Sequence, residues 1–251
     1  MRDWEKEKQD RIAFIRTILN ESGADGVVFG NSGGKDCALT GILCRMACDN
    51  VLGVIMPCGS KQNYGSDKDD ALAVAAQYDI ATVTVDLTET RDALLEATGK
   101  AGGLNAMAIN NMAPRLRMNA LYALAQSRRS LVAGTGNRSE RYMGYFTKWG
   151  DGAYDFNPIG DLTASEVFEF LRYLGAPARV IEKAPSAGLY DGQTDEKEMG
   201  VTYDAIDRYL TEGKGEEADI AVIERYHSTS MHKREKTPIY GLIIDNAEIN
   251  S

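Results

Sequence analysis

The sequence predicts an α/β fold: a doubly wound parallel sheet with helices on both faces, followed by a helical C-terminal part. Three observations carry that expectation. Short β-branched and apolar runs alternate with helical segments from residue 27 to residue 133, the pattern of parallel strands joined by crossover helices. A glycine-rich turn follows the first of these runs directly, where such sheets bind ligands, outside the carboxyl ends of their strands. Beyond residue 160 the apolar residues recur mainly at helical spacing.

Ile12, Ile15, Ile18 and Leu19 set an amphipathic helix over residues 3–20, with a highly charged start expected to fray. Val27, Val28 and Phe29 form a buried strand, and residues 36–48 a helix. Strands are expected over 51–56, 82–86 and 131–133, and helices over 67–78, 88–98 and 110–127. A fifth short strand has no position fixed by the sequence. Thr163-Ala-Ser-Glu166 reads as a capping box, in which each end residue satisfies an amide of the other. Val167, Phe170, Leu171 and Leu174 line the helix that follows, and Gly175 and Pro177 end it. Residues 191–200 read as a mobile loop, and 203–211 and 216–230 as helices. The loops over 61–68 and 191–200 are expected to order only with ligand. With no repeat and no linker, residues 1–251 are expected to form a single domain.

The net charge is −9, from 28 Lys and Arg against 37 Asp and Glu. Nucleic-acid affinity comes mostly from neutralising phosphates, so a nucleic-acid partner is not expected. The N-terminus lacks an apolar signal region and no apolar run reaches the ~18 residues of a membrane span. Four cysteines without a Cys-x-x-Cys pair argue against a disulfide scaffold or zinc ribbon. A cytoplasmic protein without a membrane partner is the expectation.

The turn after the first strand reads Gly30-Asn31-Ser32-Gly33-Gly34-Lys35-Asp36-Cys37. It fails the Walker A pattern, because Lys35 precedes Asp36 rather than Ser or Thr, and it fails the dinucleotide fingerprint on spacing. Two glycines nonetheless let the backbone approach a ligand, and a helix N-terminus adds partial positive charge. Asp36 fits a phosphate receptor if it holds a Mg2+ that bridges to the phosphates. A tight turn with a helix-capping Asp36 is the plain alternative. A second glycine turn, Gly134-Thr135-Gly136, follows the fourth strand and lies on the same sheet edge. Near it, Glu140 offers a second carboxylate, Lys148 a cation, and Asp151 and Asp155 acceptors for ribose hydroxyls, unless the segment is simply a surface loop.

Ser32-Gly-Gly-Lys-Asp36 after an apolar strand resembles the PP-loop of the N-type ATP pyrophosphatases, whose fold is adenine-nucleotide alpha-hydrolase-like. The run GTGNRSERYMGYFTKWGDGAYDFNPIGDLT from Gly134 is similar to the signature of the ammonia-dependent NAD synthetases. So are Asn111–Met118, Ala184–Leu189, Gly192–Glu196 and Met231–Arg234, in order over most of the chain. The resemblance implies an amide ligase that converts deamido-NAD, ATP and ammonia to NAD, AMP and diphosphate through an acyl adenylate. By position it implies that residues 30–37, Thr135 and Ser186 bind ATP, and that Asp36 and Glu140 hold Mg2+. It further implies that Arg115, Lys148, Asp155, His232 and Lys233 face deamido-NAD, and that the protein is a homodimer. About 26 residues precede the first strand, too few for an ammonia-producing domain, so free ammonia is the expected nitrogen donor.

The chain departs from the family pattern at Cys37, a weaker donor than the usual serine, at Ser186 for threonine, and at Ala164 where many members carry a base. Lys35 and Lys61 are the candidate replacements for that cation. Cys37 has a second reading as a thiol acidified by the helix N-terminus. Cys44, Cys48 and Cys58 read as small buried thiols or, alternatively, a metal cluster. The competing functions are a tRNA-modifying or GMP-synthetase-like PP-loop enzyme and a non-catalytic adenine-nucleotide sensor.

Overall fold

The computed structural model describes residues 2–59, 64–182 and 194–240. Its centre is a parallel sheet of four strands, β1 (Gly26–Gly30), β2 (Val51–Ile55), β3 (Ala81–Thr84) and β4 (Ser130–Ala133), in the order β3-β2-β1-β4. Val28 pairs with Leu52 on one side and Val132 on the other. The chain winds outward from β1 to β3 and then returns to place β4 against β1. The strand order therefore reverses between β1 and β4, and a crevice opens at their carboxyl ends. The fifth strand reduces to one parallel bridge between Ala133 and Phe156.

Side chains alternate across a strand, so each face recruits its own helices. Val27, Phe29 and Val51 pack with α1 (Trp4–Ser22), α2 (Lys35–Ala47), α3 (Ser66–Tyr78) and α8 (Ala164–Leu174). Val28, Leu52, Val54 and Val132 pack beneath α6 (Met112–Ser127). Helices α4 (Thr88–Gly99) and α5 (Ala106–Asn110) bury no residue. The helix expected over 110–127 is thus interrupted at Asn111, between α5 and α6. Two further short helices, α7 (Arg138–Met143) and α9 (Ala178–Ile181), flank α8 in sequence. Beyond the second gap come α10 (Asp195–Met199), α11 (Tyr203–Glu212) and α12 (Glu217–Thr229), and a 3-10 turn spans Met231–Lys233.

Two expectations change here. The described part of the 191–200 loop is the helical turn α10, whose Asp195 and Met199 are buried. The charged start of α1 is tied down rather than frayed. Arg2 donates to Glu7 at 3.1 Å, Asp161 at 3.0 Å and Glu166 at 2.8 Å, and Trp4 stacks on Phe170 at 4.9 Å. Buried Arg11 donates to the Pro158 carbonyl at 2.5 Å and to both Asp161 oxygens, at 2.7 and 2.9 Å.

Burial pushes the Asp161 carboxyl up, but the Arg11 hydrogen bonds and the charges of Arg11 and Arg2 outweigh it and leave it below its ordinary value. A depressed carboxyl adds stability above its unfolded pKa of about 3.9, and that stability is lost as pH falls through the folded value. Asp161→Asn is expected to cost about 1 kcal/mol at neutral pH, discounted for the half-exposed side chain. The variant's melting temperature, followed from pH 6 down to pH 2, is expected to converge on that of the parent. A gap that stays constant across the range counts against this account.

Candidate active site

The site is assembled from the two turns that face each other across the reversal of strand order. In the first, Gly33 adopts φ +76° and Gly34 caps α2 with extended backbone. Ser32 Oγ accepts the Gly34 amide at 3.2 Å and donates to Cys37 Sγ at 3.1 Å. Asn31 is buried, its amide hydrogen-bonded to the Val54 carbonyl at 2.8 Å and its side chain to Ala71 at 3.2 Å. The loop is therefore fixed on β2 and α3 with the start of α2 directed at the crevice.

In the second turn, Asn137 caps α7. Its side chain accepts the Glu140 amide at 3.0 Å, while Glu140 Oε2 accepts the Asn137 amide at 3.1 Å. The same Asn137 side chain donates to Asp36 Oδ1 at 3.0 Å and so joins the two turns. Thr135 stands beside the Cys37 thiol. Both turns line one cavity of about 630 Å3, together with Asp151, Lys233 and Arg117. Pockets for small ligands run roughly 300–1,000 Å3, so this one suits a nucleotide-sized ligand.

Charges crowd at the floor. Lys35 is 5% exposed, and its Nζ donates to Asp36 Oδ2 at 2.5 Å. Burial alone favours the neutral amine, but the charges of Asp36 and Glu140 hold Lys35 above its ordinary range. Burial, and then the charge of Asp36, push the Glu140 carboxyl well up, with Lys35 opposing. An enclosed pair of carboxylates of this kind attracts a hard cation. Among the described residues no group of three or more His, Cys, Asp or Glu side chains is arranged to hold a metal.

The NAD synthase family model matches residues 7–237. The chain belongs to the NAD synthase family. It is 43% identical over 235 residues to an NH(3)-dependent NAD(+) synthetase of Carboxydothermus hydrogenoformans, covering 92% of this chain and 96% of that protein. It is 42% identical to the corresponding synthetase of Archaeoglobus fulgidus, covering 94% and 97%. Among solved structures it resembles the NMN synthetase of Francisella tularensis at TM-score 0.91 and 36% identity, covering 96% of this chain and 100% of that one. It resembles the NH3-dependent NAD synthetase of Campylobacter jejuni at TM-score 0.77 and 30% identity, covering 95% and 99%.

Residues 30–37, Thr135 and Glu140, singled out for the NAD synthase resemblance, meet around the cavity; Gly33 supports it from behind, against α3. Of Arg115, Lys148, His232 and Lys233, Lys233 lines the cavity, and the other three are joined to one another outside its lining. Arg115 Nε donates to the Lys148 carbonyl at 3.3 Å and Lys148 Nζ to the His232 carbonyl at 2.5 Å. Lys233 reaches the cavity and donates to the carbonyls of Gly144 and Phe146, both at 2.7 Å. Burial pushes the Lys233 ammonium below its ordinary range. Trp149, 62% exposed, lies under Lys148 at 5.5 Å.

Asp155 is not brought into the cavity. Its Oδ2 accepts the Val132 amide at 2.7 Å and its Oδ1 the Tyr122 hydroxyl at 3.1 Å, so it holds β4 beside the Ala133–Phe156 bridge. Tyr122 is pushed up to about 12, by burial first and then by Asp155. Asp155→Ala is expected to cost about 1–2 kcal/mol through the loss of a charge-assisted bond to a strand amide. A chemical denaturation curve identical to the parent's would place Asp155 outside this role.

Of the two aspartates offered for ribose, Asp151 is the one lining the cavity. Burial raises its carboxyl, with the Thr147 amide and the charge of Lys233 opposing. Ser186 and Lys61 lie outside the described residues. Ala164 is 1% exposed and its amide bonds Ser139 Oγ at 3.1 Å, so no cation comes from that position. Burial raises the Cys37 thiol, against the reading of an acidified nucleophile. Cys44 and Cys58 lie in the cores on opposite faces of the sheet, and Cys48 and Cys58 each reach a backbone carbonyl at 3.9 Å, so the three form no metal cluster.

Two residues escaped the sequence reading. Arg117, two positions beyond Arg115 on α6, lines the cavity half-buried, and its Nε donates to the Met56 carbonyl at 3.0 Å. Asp195, within the Gly192–Glu196 motif, also lines the cavity.

Proposed function

We propose that this chain is an ammonia-dependent amide ligase that converts deamido-NAD, ATP and ammonia to NAD, AMP and diphosphate in the cytoplasm, as the last step of NAD biosynthesis. The observation that carries the reading is the joining of the two turns at the sheet's reversal point, where Asn137 bridges Asp36 and Glu140 above a helix N-terminus. Names of relatives at 42–43% identity over more than nine-tenths of the chain support it.

In this reading the amides at the start of α2, with Ser32 and Thr135, cradle the ATP phosphates. Ser186 contacts ATP as well. The nicotinate carboxylate attacks the α-phosphorus and diphosphate leaves. Ammonia then attacks the acyl carbon and AMP leaves, with a proton released. No protein nucleophile takes part, and the work of the chain is positioning and charge stabilisation.

Asp36 and Glu140 fit Mg2+: both are hard oxygen donors held by Asn137 in an enclosed, over-negative site. Bound there, the ion would neutralise developing charge on the phosphates. Arg115, Lys148, His232 and Lys233 offer cations to the acceptor's anionic groups, and Asp155 faces the acceptor with them as a hydroxyl acceptor. The chain acts as one domain in this reading.

A homodimer is part of the same proposal. Among the described residues helices α4 and α5 contribute none to a buried core, Leu94 and Val83 are exposed, and Met107 is 73% exposed while also lining the cavity. A second copy packed on this face would cover that apolar surface and extend the site beyond one chain. Sedimentation at micromolar concentration is expected to give twice the chain mass; a monomer there overturns the dimer.

A second reading concerns the acceptor alone. The likeness to the NMN synthetase structure, TM-score 0.91, exceeds that to the C. jejuni NAD synthetase, 0.77. It favours nicotinate mononucleotide as the group amidated. One experiment decides: product formation from deamido-NAD and from nicotinate mononucleotide in parallel, each with ATP, Mg2+ and ammonium, with glutamine as a second nitrogen source. Higher kcat/KM on deamido-NAD with ammonium supports the first reading, and higher kcat/KM on the mononucleotide the second. AMP release with neither amide product overturns both.

A further inference from the structure

The floor of the site contains more charge than the ATP reading uses. Three carboxylates, Asp36, Glu140 and Asp195, stand within electrostatic reach of the Lys35 ammonium. The floor thus holds more carboxyl groups than this one ammonium can pair with. Lys35 is bonded to Asp36, one of the two carboxylates assigned to the divalent ion. Around Lys35 the walls are aromatic: Nζ lies 5.6 Å from the centre of the Phe168 ring and 5.5 Å from that of Tyr203. Aromatic faces attract a desolvated cation. The Tyr203 hydroxyl in turn donates to Asp195 Oδ2 at 3.1 Å, and Asp195 is 4% exposed. Lys35 thus has one carboxylate at its head and a second behind an aromatic wall, the first in the opening turn of α2 and the second at the start of α10.

We propose that Lys35 is a built-in stand-in for the divalent ion, holding the Asp36 carboxylate in the nucleotide-free protein and giving it up to the ion, with Asp195 and the Phe168–Tyr203 walls retaining the displaced ammonium. The inference rests on the metal reading of Asp36 and Glu140. Its consequence is that the free protein binds a bare divalent ion weakly, because the ion must compete with a tethered cation. ATP reverses the balance by bringing phosphate charge that satisfies ion and ammonium together. Asp195 is then a positioning residue that acts through Lys35.

The test is Mn2+ binding to the nucleotide-free protein, read from the electron paramagnetic resonance signal of free Mn2+. Lys35→Met keeps the stem volume and removes the charge, and is expected to tighten Mn2+ about tenfold or more, as the tethered cation no longer competes. Adding Asp36→Asn is expected to reverse that gain. Asp195→Asn is expected to weaken Mn2+ several-fold when Lys35 is present and much less beside Lys35→Met. Circular dichroism checks that each variant folds, and Lys35→Gln replaces Lys35→Met if that variant does not. Unchanged or weaker Mn2+ binding in a folded Lys35 variant, with Asp36→Asn still lowering the parent's affinity, overturns this inference and leaves the metal reading in place. Equal effects of Asp195→Asn in both backgrounds remove Asp195 from it. Mn2+ binding indifferent to both Asp36→Asn and Glu140→Gln overturns the metal reading, and this inference with it.

Discussion

Glu140→Gln is expected to reduce amide-product formation by roughly a hundredfold or more, the scale of losing a key electrostatic group from an active site, while leaving the melting temperature nearly unchanged. The two effects separate because Glu140 has two tasks. As the third residue of α7 it accepts the Asn137 amide and completes the capping box. Glutamine performs that task equally well. As one of two enclosed carboxylates it supplies a charge and a hard donor, and glutamine supplies no charge. Glu140→Ala removes both functions and is expected to lose a further 1 kcal/mol or so of stability with the cap. Assay and melting curve on the two variants check the argument together. Full activity in Glu140→Gln would show that Glu140 only caps a helix.

That double role marks what was legible in the sequence. The strand–glycine turn–helix unit at residues 26–47 was readable because local pattern and tertiary role agree there: an apolar run, a break, then helical spacing. The Thr163–Glu166 capping box was readable for the same reason, and it forms as expected, with Thr163 Oγ1 and Glu166 Oε2 each accepting the other's amide. Asn137-Arg-Ser-Glu140 spells the same device, yet α7 is not legible because it is only six residues long and no apolar period announces it. Anchoring of the α1 start was invisible because Asp161 and Glu166 lie more than 150 positions away. Asp155 has a second task that its place in a signature run does not announce: the strand amide of Val132 takes its carboxylate. Asp195 and Arg117 depend on which face of a short helix or crossover meets the cavity, and no single-chain pattern specifies that. Resemblance placed the residues at the two turns; local physics alone left those turns ambiguous with ordinary loops.

The largest structural effect is expected at Gly33. Gly33→Ala asks for two things the loop cannot give. The backbone there has φ +76°, a left-handed conformation that costs an L-residue about 1–2 kcal/mol. A Cβ would also lie 2.2 Å from the Asp67 carbonyl oxygen and 3.0 Å from the Ala71 amide nitrogen, which are backbone atoms at the start of α3. Backbone cannot rotate away as a side chain can, so either the turn or α3 must shift. Overpacking of this kind costs a further 1–3 kcal/mol, and a combined loss of about 3 kcal/mol is expected in chemical denaturation. The turn also sets the amides at the start of α2, so ATP affinity is expected to fall even in protein that remains folded. Gly34→Ala is the control. Its Cβ would meet only Ser32 Oγ, at 3.3 Å, with φ in the ordinary range. It is expected to fold like the parent and, if the proposed cradle holds the phosphates here, to lose ATP affinity alone. If Gly33→Ala unfolds at the parent's denaturant concentration, the turn is not braced against α3, and the case for a preformed phosphate cradle loses its main support.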